Sequence, residues 1–176
     1  MSAGLVFCYH AGMHRDSPRA WLRQIISGGQ TGADRAALDV AIELGIDHGG
    51  WVPRGRWAED GPLPERYRVR ETPTDEVAVR TAWNVRDSDA TLIVSHGPLT
   101  SGSALTWEVA QRCGKPVLHL DLNRLDETTS LERLREWLAV VRPAVLNVAG
   151  PRASTDPAIY ARVRDLLRRL LAPPPG

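Results

Sequence analysis

The chain has only two cysteines, Cys8 and Cys113, in 176 residues. Two thiols make neither a disulfide framework nor a cysteine metal cluster, and they suit a reducing compartment. An excess of one charge is also missing. Lys and Arg number 22 against 21 Asp and Glu, for a formal net charge of +1. Bulk electrostatics therefore draws the chain to neither nucleic acid nor an acidic membrane, while a local phosphate site stays open. No apolar run approaches the roughly 20 residues that cross a bilayer. Residues 1–23 carry an apolar patch at Leu5, Val6 and Phe7, but no charged start or long apolar region, so no signal peptide is expected. The histidines His10, His14, His48, His96 and His119 share no metal-ligand spacing. Together these absences predict a soluble, cytoplasmic protein with no membrane or nucleic-acid partner.

What is present is enough apolar sequence, 43 %, for one well-buried core in a chain too short for two ordinary domains. Residues 1–23 read as an extension, 24–171 as a single domain, and 172–176 as a tail whose prolines stop the last helix. After residue 23, strand and helix patterns alternate. Strands are expected at 24–27, within 46–52, and at 90–95, 116–122 and 145–150. Helices are expected at 35–44, 75–86, 103–113, 130–141 and 156–171. The run Ala90-Thr91-Leu92-Ile93-Val94-Ser95 is apolar and β-branched without alternation, as suits a strand buried on both faces of a parallel sheet. Residues 53–75, rich in Pro, Gly and charge, are too long for a plain connector and read as a functional loop. The pattern predicts an α/β, Rossmann-like open parallel sheet of about five or more strands with helices on both faces.

Ligands of such sheets bind beyond the carboxyl ends of the strands, and three segments fall there. In the first, Gly28, Gly29, Gln30, Thr31, Gly32, Ala33 and Asp34 form a glycine-rich turn between a strand and a helix. Backbone N–H groups and the positive end of a helix dipole converge at such a turn, which suits phosphate or another oxyanion. The spacing is neither a dinucleotide fingerprint nor a Walker motif, and a tight structural turn is the plainer alternative. Under the anion reading, a bulky residue at Gly32 abolishes binding and leaves the fold intact. In the second segment, residues 51–61, Arg54 and Arg56 offer bidentate donors and Trp51 or Trp57 a stacking face. An exposed loop with internal ion pairs explains it equally well. The third, residues 96–106, repeats the strand, loop and helix logic, with Gly102, Ser103 and Thr106 at the helix start. Simple capping by Ser103 is its alternative. Asn84 and Asp87 are further candidates for the cleft, and His96 stands at a strand's carboxyl end. Ser27 and Ser95 have no identifiable His–acid partners for nucleophilic catalysis.

Taken in order, residues 26–39 (ISGGQTGADRAALD), 50–61 (GWVPRGRWAEDG), 80–89 (RTAWNVRDSD) and 102–106 (GSALT) resemble the molybdenum cofactor carrier proteins. The resemblance runs from about residue 24 to about 171. It implies a Rossmann-like homo-oligomer, typically a tetramer, that holds and protects the oxygen-sensitive molybdenum cofactor, a phosphate-bearing pterin. Molybdoenzymes are then the acceptors. Where the family often has GGTALT, this chain reads SGSALT from Ser101, so a hydroxyl is kept. Where a cysteine is often found, it has Val52. A wider superfamily includes phosphoribohydrolases, whose motif places a glutamate where Thr106 stands here. Glu108, two residues further on, is turned about 200° around the helix, away from that position. The missing carboxylate argues against N-glycosidic hydrolysis and favours a non-catalytic carrier. A nucleotide-processing enzyme and a nucleotide-sensing module remain the alternatives.

Overall fold

The computed structural model describes residues 17–172. The patch at residues 5–7, Cys8, His10, His14 and the terminal prolines lie outside the described residues. Five parallel strands form the sheet: β1 (Gln24–Ile26), β2 (Asp47–Gly49), β7 (Ala90–Ser95), β8 (Val117–Asp121) and β9 (Val145–Ala149). Their spatial order is β2-β1-β9-β7-β8, so the last strand of the domain lies in the middle. The helices are α1 (Ala33–Glu43), α2 (Val77–Asp87), α3 (Ser101–Arg112), α4 (Glu127–Val141) and α5 (Ile159–Leu171). The expected α/β sheet of about five parallel strands is present, with helices on both faces.

Strand order decides which helix covers which face. The steps from β1 to β2 and from β8 to β9 run one way across the sheet; those from β2 to β7 and from β7 to β8 run the other. Right-handed crossovers put helices of opposite steps on opposite faces. Accordingly α1 and α4 lie with α5 on one face, and α2 packs with α3 on the other. The first face holds the main core. Ala36, Ala37, Val40 and Ala41 of α1, Leu134 and Leu138 of α4, and Val163, Leu167 and Leu171 of α5 meet Leu92, Val94, Leu146 and Val148 there. Thr91, Ile93 and Ser95 alternate with those β7 residues, and all six positions of the strand are buried. The second face is more polar, and Asn147 Nδ2 donates to Thr91 Oγ1 at 3.2 Å inside it.

Local signals set most element ends. Gly45, at φ +64, follows α1 and sends its N–H to the Ile42 carbonyl, an αL cap. Helix α4 starts three residues before the expected 130 because the Asp126 side chain accepts from Thr129 N at 2.8 Å. The expected strand within 46–52 is cut at Gly50 into β2 and β3 (Trp51–Val52). A Cβ at Gly50 would lie 2.2 Å from the Ser27 carbonyl oxygen.

The long 53–75 segment folds as small pieces: a hairpin of β4 (Trp57–Ala58) and β5 (Gly61–Pro62), then β6 (Arg70–Glu71) beside β3. It is anchored by Tyr67, which is 1 % exposed and packs with Leu38, Val52 and Leu63. Tyr67 Oη donates to Asp39 Oδ1 at 2.7 Å, and Tyr160 Oη of α5 donates to the other oxygen at 2.7 Å. Burial, then the carboxylate, pushes the Tyr160 hydroxyl up to about 12. Tyr67→Phe is expected to cost about 1.5 kcal/mol, the lower end for a bond to a charged group, because Tyr160 still holds Asp39. A urea titration checks it, as a shifted midpoint with unchanged slope.

Candidate functional site

Strands β7 and β9 are neighbours, yet the helices that follow them, α3 and α5, go to opposite faces. A crevice has to open beyond their carboxyl ends, at the switch point of the sheet. A cleft of about 290 Å³ lies there. One wall is Ser95, His96, Pro98, Thr100 and Ser103; the other is Pro151, Thr155, Asp156 and Pro157.

Helix α3 begins at the floor of this wall. Thr100 N donates to Ser103 Oγ at 3.2 Å, and that hydroxyl donates back to the Thr100 carbonyl at 2.8 Å, so the helix starts at 101, not 103, with Thr100 as its N-cap and Ser103 at its third position closing a capping box. Thr106 Oγ1 donates to the Gly102 carbonyl at 2.8 Å. Both hydroxyls thus have helix partners, and Gly102 is the open position: a Cβ there would meet nothing within 4 Å. Across the cleft, His96 Nδ1 and Asp156 Oδ2 are 2.6 Å apart and tie the two walls together. Ser95 Oγ donates to the Gly97 carbonyl at 2.8 Å and lies 2.8 Å from His119 Nε2. Burial pushes the His119 imidazole down. With its proton directed at a carbonyl, Ser95 receives the imidazole N–H as an acceptor, which makes His119 a donor to it and not its base.

The β1–α1 turn is bound mostly to protein. Gln30 N donates to Asp34 Oδ2 at 3.3 Å, Thr31 N to Gln30 Oε1 at 3.0 Å, and Ala33 N to the Pro151 carbonyl at 3.2 Å. Thr31 Oγ1 accepts from Ala153 N at 3.1 Å and donates to Glu59. Gly28 lies under the Arg80 guanidinium, and Gly29 lies against Leu63 and Val52. Asp34 is 3 % exposed and pairs with Arg80 Nη1 at 3.2 Å. Burial raises its pKa, against the pull of Arg80. Gly32 explains itself by close approach. At φ +79 it starts α1, and a Cβ would stand 2.4 Å from the Pro151 carbonyl oxygen. A bulky residue at Gly32 therefore strains the fold itself, contrary to the expectation of an intact fold. Gly102, in the first turn of α3 beside the lining residue Ser103, takes a side chain into open space without that conflict.

The arginines of the 51–61 loop part company. Arg56 donates to the carbonyls of Leu63, Pro64 and Tyr67 at 3.2, 3.0 and 3.1 Å and holds the loop together. Arg54 is exposed, and among the described residues its guanidinium has no partner. Neither lines the cleft. Trp51 stands edge-on to Trp83 with centroids 4.7 Å apart and donates from Nε1 to Asp87 at 2.7 Å. Asn84 holds β3 through Trp51 N and O, at 2.8 and 2.9 Å. The Arg86 bond, with help from Trp51, lowers the Asp87 carboxyl to about 2. Asn84 and Asp87 thus serve the β3 edge.

The largest omission of the sequence reading is residues 150–157. Gly150 and Pro151 follow a strand as plainly as Gly28 follows β1, so the strand-end rule itself could have found them. The partners of Asp34, Ser95 and Thr31, which are Arg80, His119 and Glu59, carried no local signal.

The fold and the cleft can now be set beside known proteins. The model of the circularly permutated YpsA SLOG family matches residues 25–171. The chain belongs to that family. Among solved structures, this SLOG protein resembles one from Syntrophus aciditrophicus SB named "Putative molybdenum carrier protein". The two share 52 % identity over 86 % of this chain and 96 % of that one, with a TM-score of 0.85. No curated protein matches the sequence. Among the described residues, no group of three or more His, Cys, Asp or Glu is placed to hold a metal ion, and no helix is long and apolar enough to cross a membrane.

Proposed function

We propose that this SLOG protein binds molybdenum cofactor, as a small phosphate-bearing ligand, in the cleft between β7 and β9, and acts as a carrier that does not turn it over. The observation that carries the reading is the place of the cleft, at the switch point and against the start of α3. Helix α3 aims its positive end there, and Gly102 leaves its first turn open to a close approach. Among the lining side chains the Thr100 and Thr155 hydroxyls are not spent on carbonyls and suit phosphate oxygens, beside the His96–Asp156 pair; no thiol lines the cleft to take the metal, so the molybdenum is cargo. A volume of about 290 Å³ is at the small end for ligand pockets and accommodates the phosphate and part of the pterin. The name of the Syntrophus protein supports the cargo, and a homo-oligomer, a cytoplasmic setting and molybdoenzyme acceptors belong to the same proposal.

A second reading, a nucleotide-binding or nucleotide-processing protein, rests on SLOG membership and on the His96–Asp156 pair in the cleft. Native mass spectrometry under anaerobic conditions separates the two. The protein is mixed with molybdenum cofactor and a panel of nucleotides. Retention of the cofactor with nucleotides ignored supports the carrier; retention or cleavage of a nucleotide alone overturns it. Gly102→Glu places a carboxylate at the start of α3, where the helix dipole tolerates it and the ligand's phosphate does not. Binding of the retained ligand is expected to weaken at least about tenfold, or about 1.4 kcal/mol, by titration calorimetry, with the unfolding temperature no lower than in wild type.

A further inference from the structure

The β4–β5 hairpin has two paired positions on each side, Trp57 opposite Pro62 and Ala58 opposite Gly61, so Glu59 and Asp60 form its tip. That tip lies across the β1–α1 turn. Glu59 N donates to Gln30 Oε1 at 2.9 Å, and Asp60 takes both amino groups of Arg35 at 3.1 and 3.0 Å. The Glu59 carboxylate sits among three donors from two different loops. One oxygen accepts from Thr31 Oγ1 and from Ser154 N at 3.0 Å, and the other accepts from Ser154 Oγ. These bonds, first Ser154 and then Thr31, hold its carboxyl below the usual range, and Arg152 adds to the effect.

Two hydroxyls and a backbone N–H around one anion, with an arginine close by, are as well matched to a phosphoryl oxygen as to a carboxylate. The tip is solvent-exposed and Trp57 is 62 % exposed; Ala58 packs inward, but the tip itself is held by polar bonds and not by apolar packing. Ser154 is also on the segment whose Pro151, Thr155 and Asp156 form one wall of the cleft.

We propose that Thr31 and Ser154 make an anion subsite which Glu59 fills as an internal surrogate, and that a phosphate-bearing ligand enters by displacing the hairpin tip. The hairpin is then a strap. With Glu59 bound, it ties the β9–α5 loop to the β1–α1 turn; once displaced, it leaves that wall of the cleft free to adjust. This rests on the cleft being the ligand site.

The test compares wild type, Glu59→Ala and Glu59→Gln by titration calorimetry with inorganic phosphate and with a nucleoside 5′-monophosphate. Glu59→Ala is expected to bind at least about tenfold more tightly than wild type, with Glu59→Gln between the two, because it keeps an acceptor and loses the charge. Adding Ser154→Ala to Glu59→Ala is expected to reverse most of the gain. Hydrogen exchange supplies a second readout: saturating ligand is expected to speed exchange in residues 57–61, where a simple contact would slow it. Equal affinity of wild type and Glu59→Ala, or slower exchange at the tip, overturns the strap and leaves the cleft reading standing. No binding of either probe by any of the three proteins also overturns the strap, while the cleft reading stands or falls with the cofactor measurement.

Discussion

Replacing Arg80 with methionine is expected to destabilise the protein by about 3–5 kcal/mol at neutral pH, the usual cost of removing one partner from a buried pair. Asp34 is 3 % exposed at the start of α1, and Arg80 Nη1 at 3.2 Å is the positive charge facing it. Methionine fills much of the space over Gly28 and cannot answer the charge. The pH dependence follows from the direction of the Asp34 shift. Burial raises its folded pKa, so the contribution of this group is complete below the ordinary Asp range and is lost as pH rises through the folded value. Without Arg80 that folded value climbs further. The deficit of Arg80→Met relative to wild type is therefore expected to shrink as the pH falls toward about 4, and to be largest near 7. Chemical denaturation at the two pH values measures it. Asp34→Asn in the same chain is expected to recover part of the loss at pH 7, because it removes the charge. A deficit that is equal at both pH values would mean that packing over Gly28, and not charge, is what Arg80 supplies.

The second large effect separates two glycines that look alike in the sequence. Gly32→Val is expected to lose about 1–3 kcal/mol from backbone conformation alone, at φ +79 and ψ −128. The Cβ, 2.4 Å from the Pro151 carbonyl oxygen, forces the 151–153 segment away and adds to that cost. Gly102→Ala has the opposite sign. The residue is helical, a Cβ there meets nothing within 4 Å, and alanine is expected to gain up to about 0.5–1 kcal/mol of stability. Thermal unfolding of the two variants beside wild type gives both signs in one experiment. A Gly32 variant as stable as wild type would show that residues 151–153 yield easily.

Period and punctuation made much of the fold legible. The unbroken apolar run of β7, the glycine after α1 and the helical spacing of α5 are all local signals, and each marks an element that is present. The order of the strands is not local. Nothing near Val145 says that this strand enters between β1 and β7, and with that order unknown the crevice could be assigned only to strand ends in general. For the same reason the turn at Gly28 stood out. A glycine-rich strand-to-helix turn is equally what an anion needs and what Gly32 needs to pass Pro151. Arg56 illustrates the limit on charge patterns. Its guanidinium is satisfied by carbonyls at positions 63, 64 and 67, and backbone acceptors leave no trace in a sequence. Residues 95, 96 and 103 were within reach because they end β7 or lie in the loop and helix start that follow it; the facing wall at 151–157 depends on the topology.

The central position of β9 also governs assembly of the sheet. Gln24 pairs with Val145 and Ala90 with Leu146, so β1 and β7 do not touch each other and have no shared neighbour until the 145–149 segment arrives. A ribosome releases β1, β2, β7 and β8 first, as two separate strand pairs whose inner edges are unsatisfied. Closure is a late, long-range event that joins them and creates the cleft in the same step. The cleft therefore does not exist on a partly made chain, and the interval before β9 emerges is when this molecule most exposes bare strand edges to its neighbours.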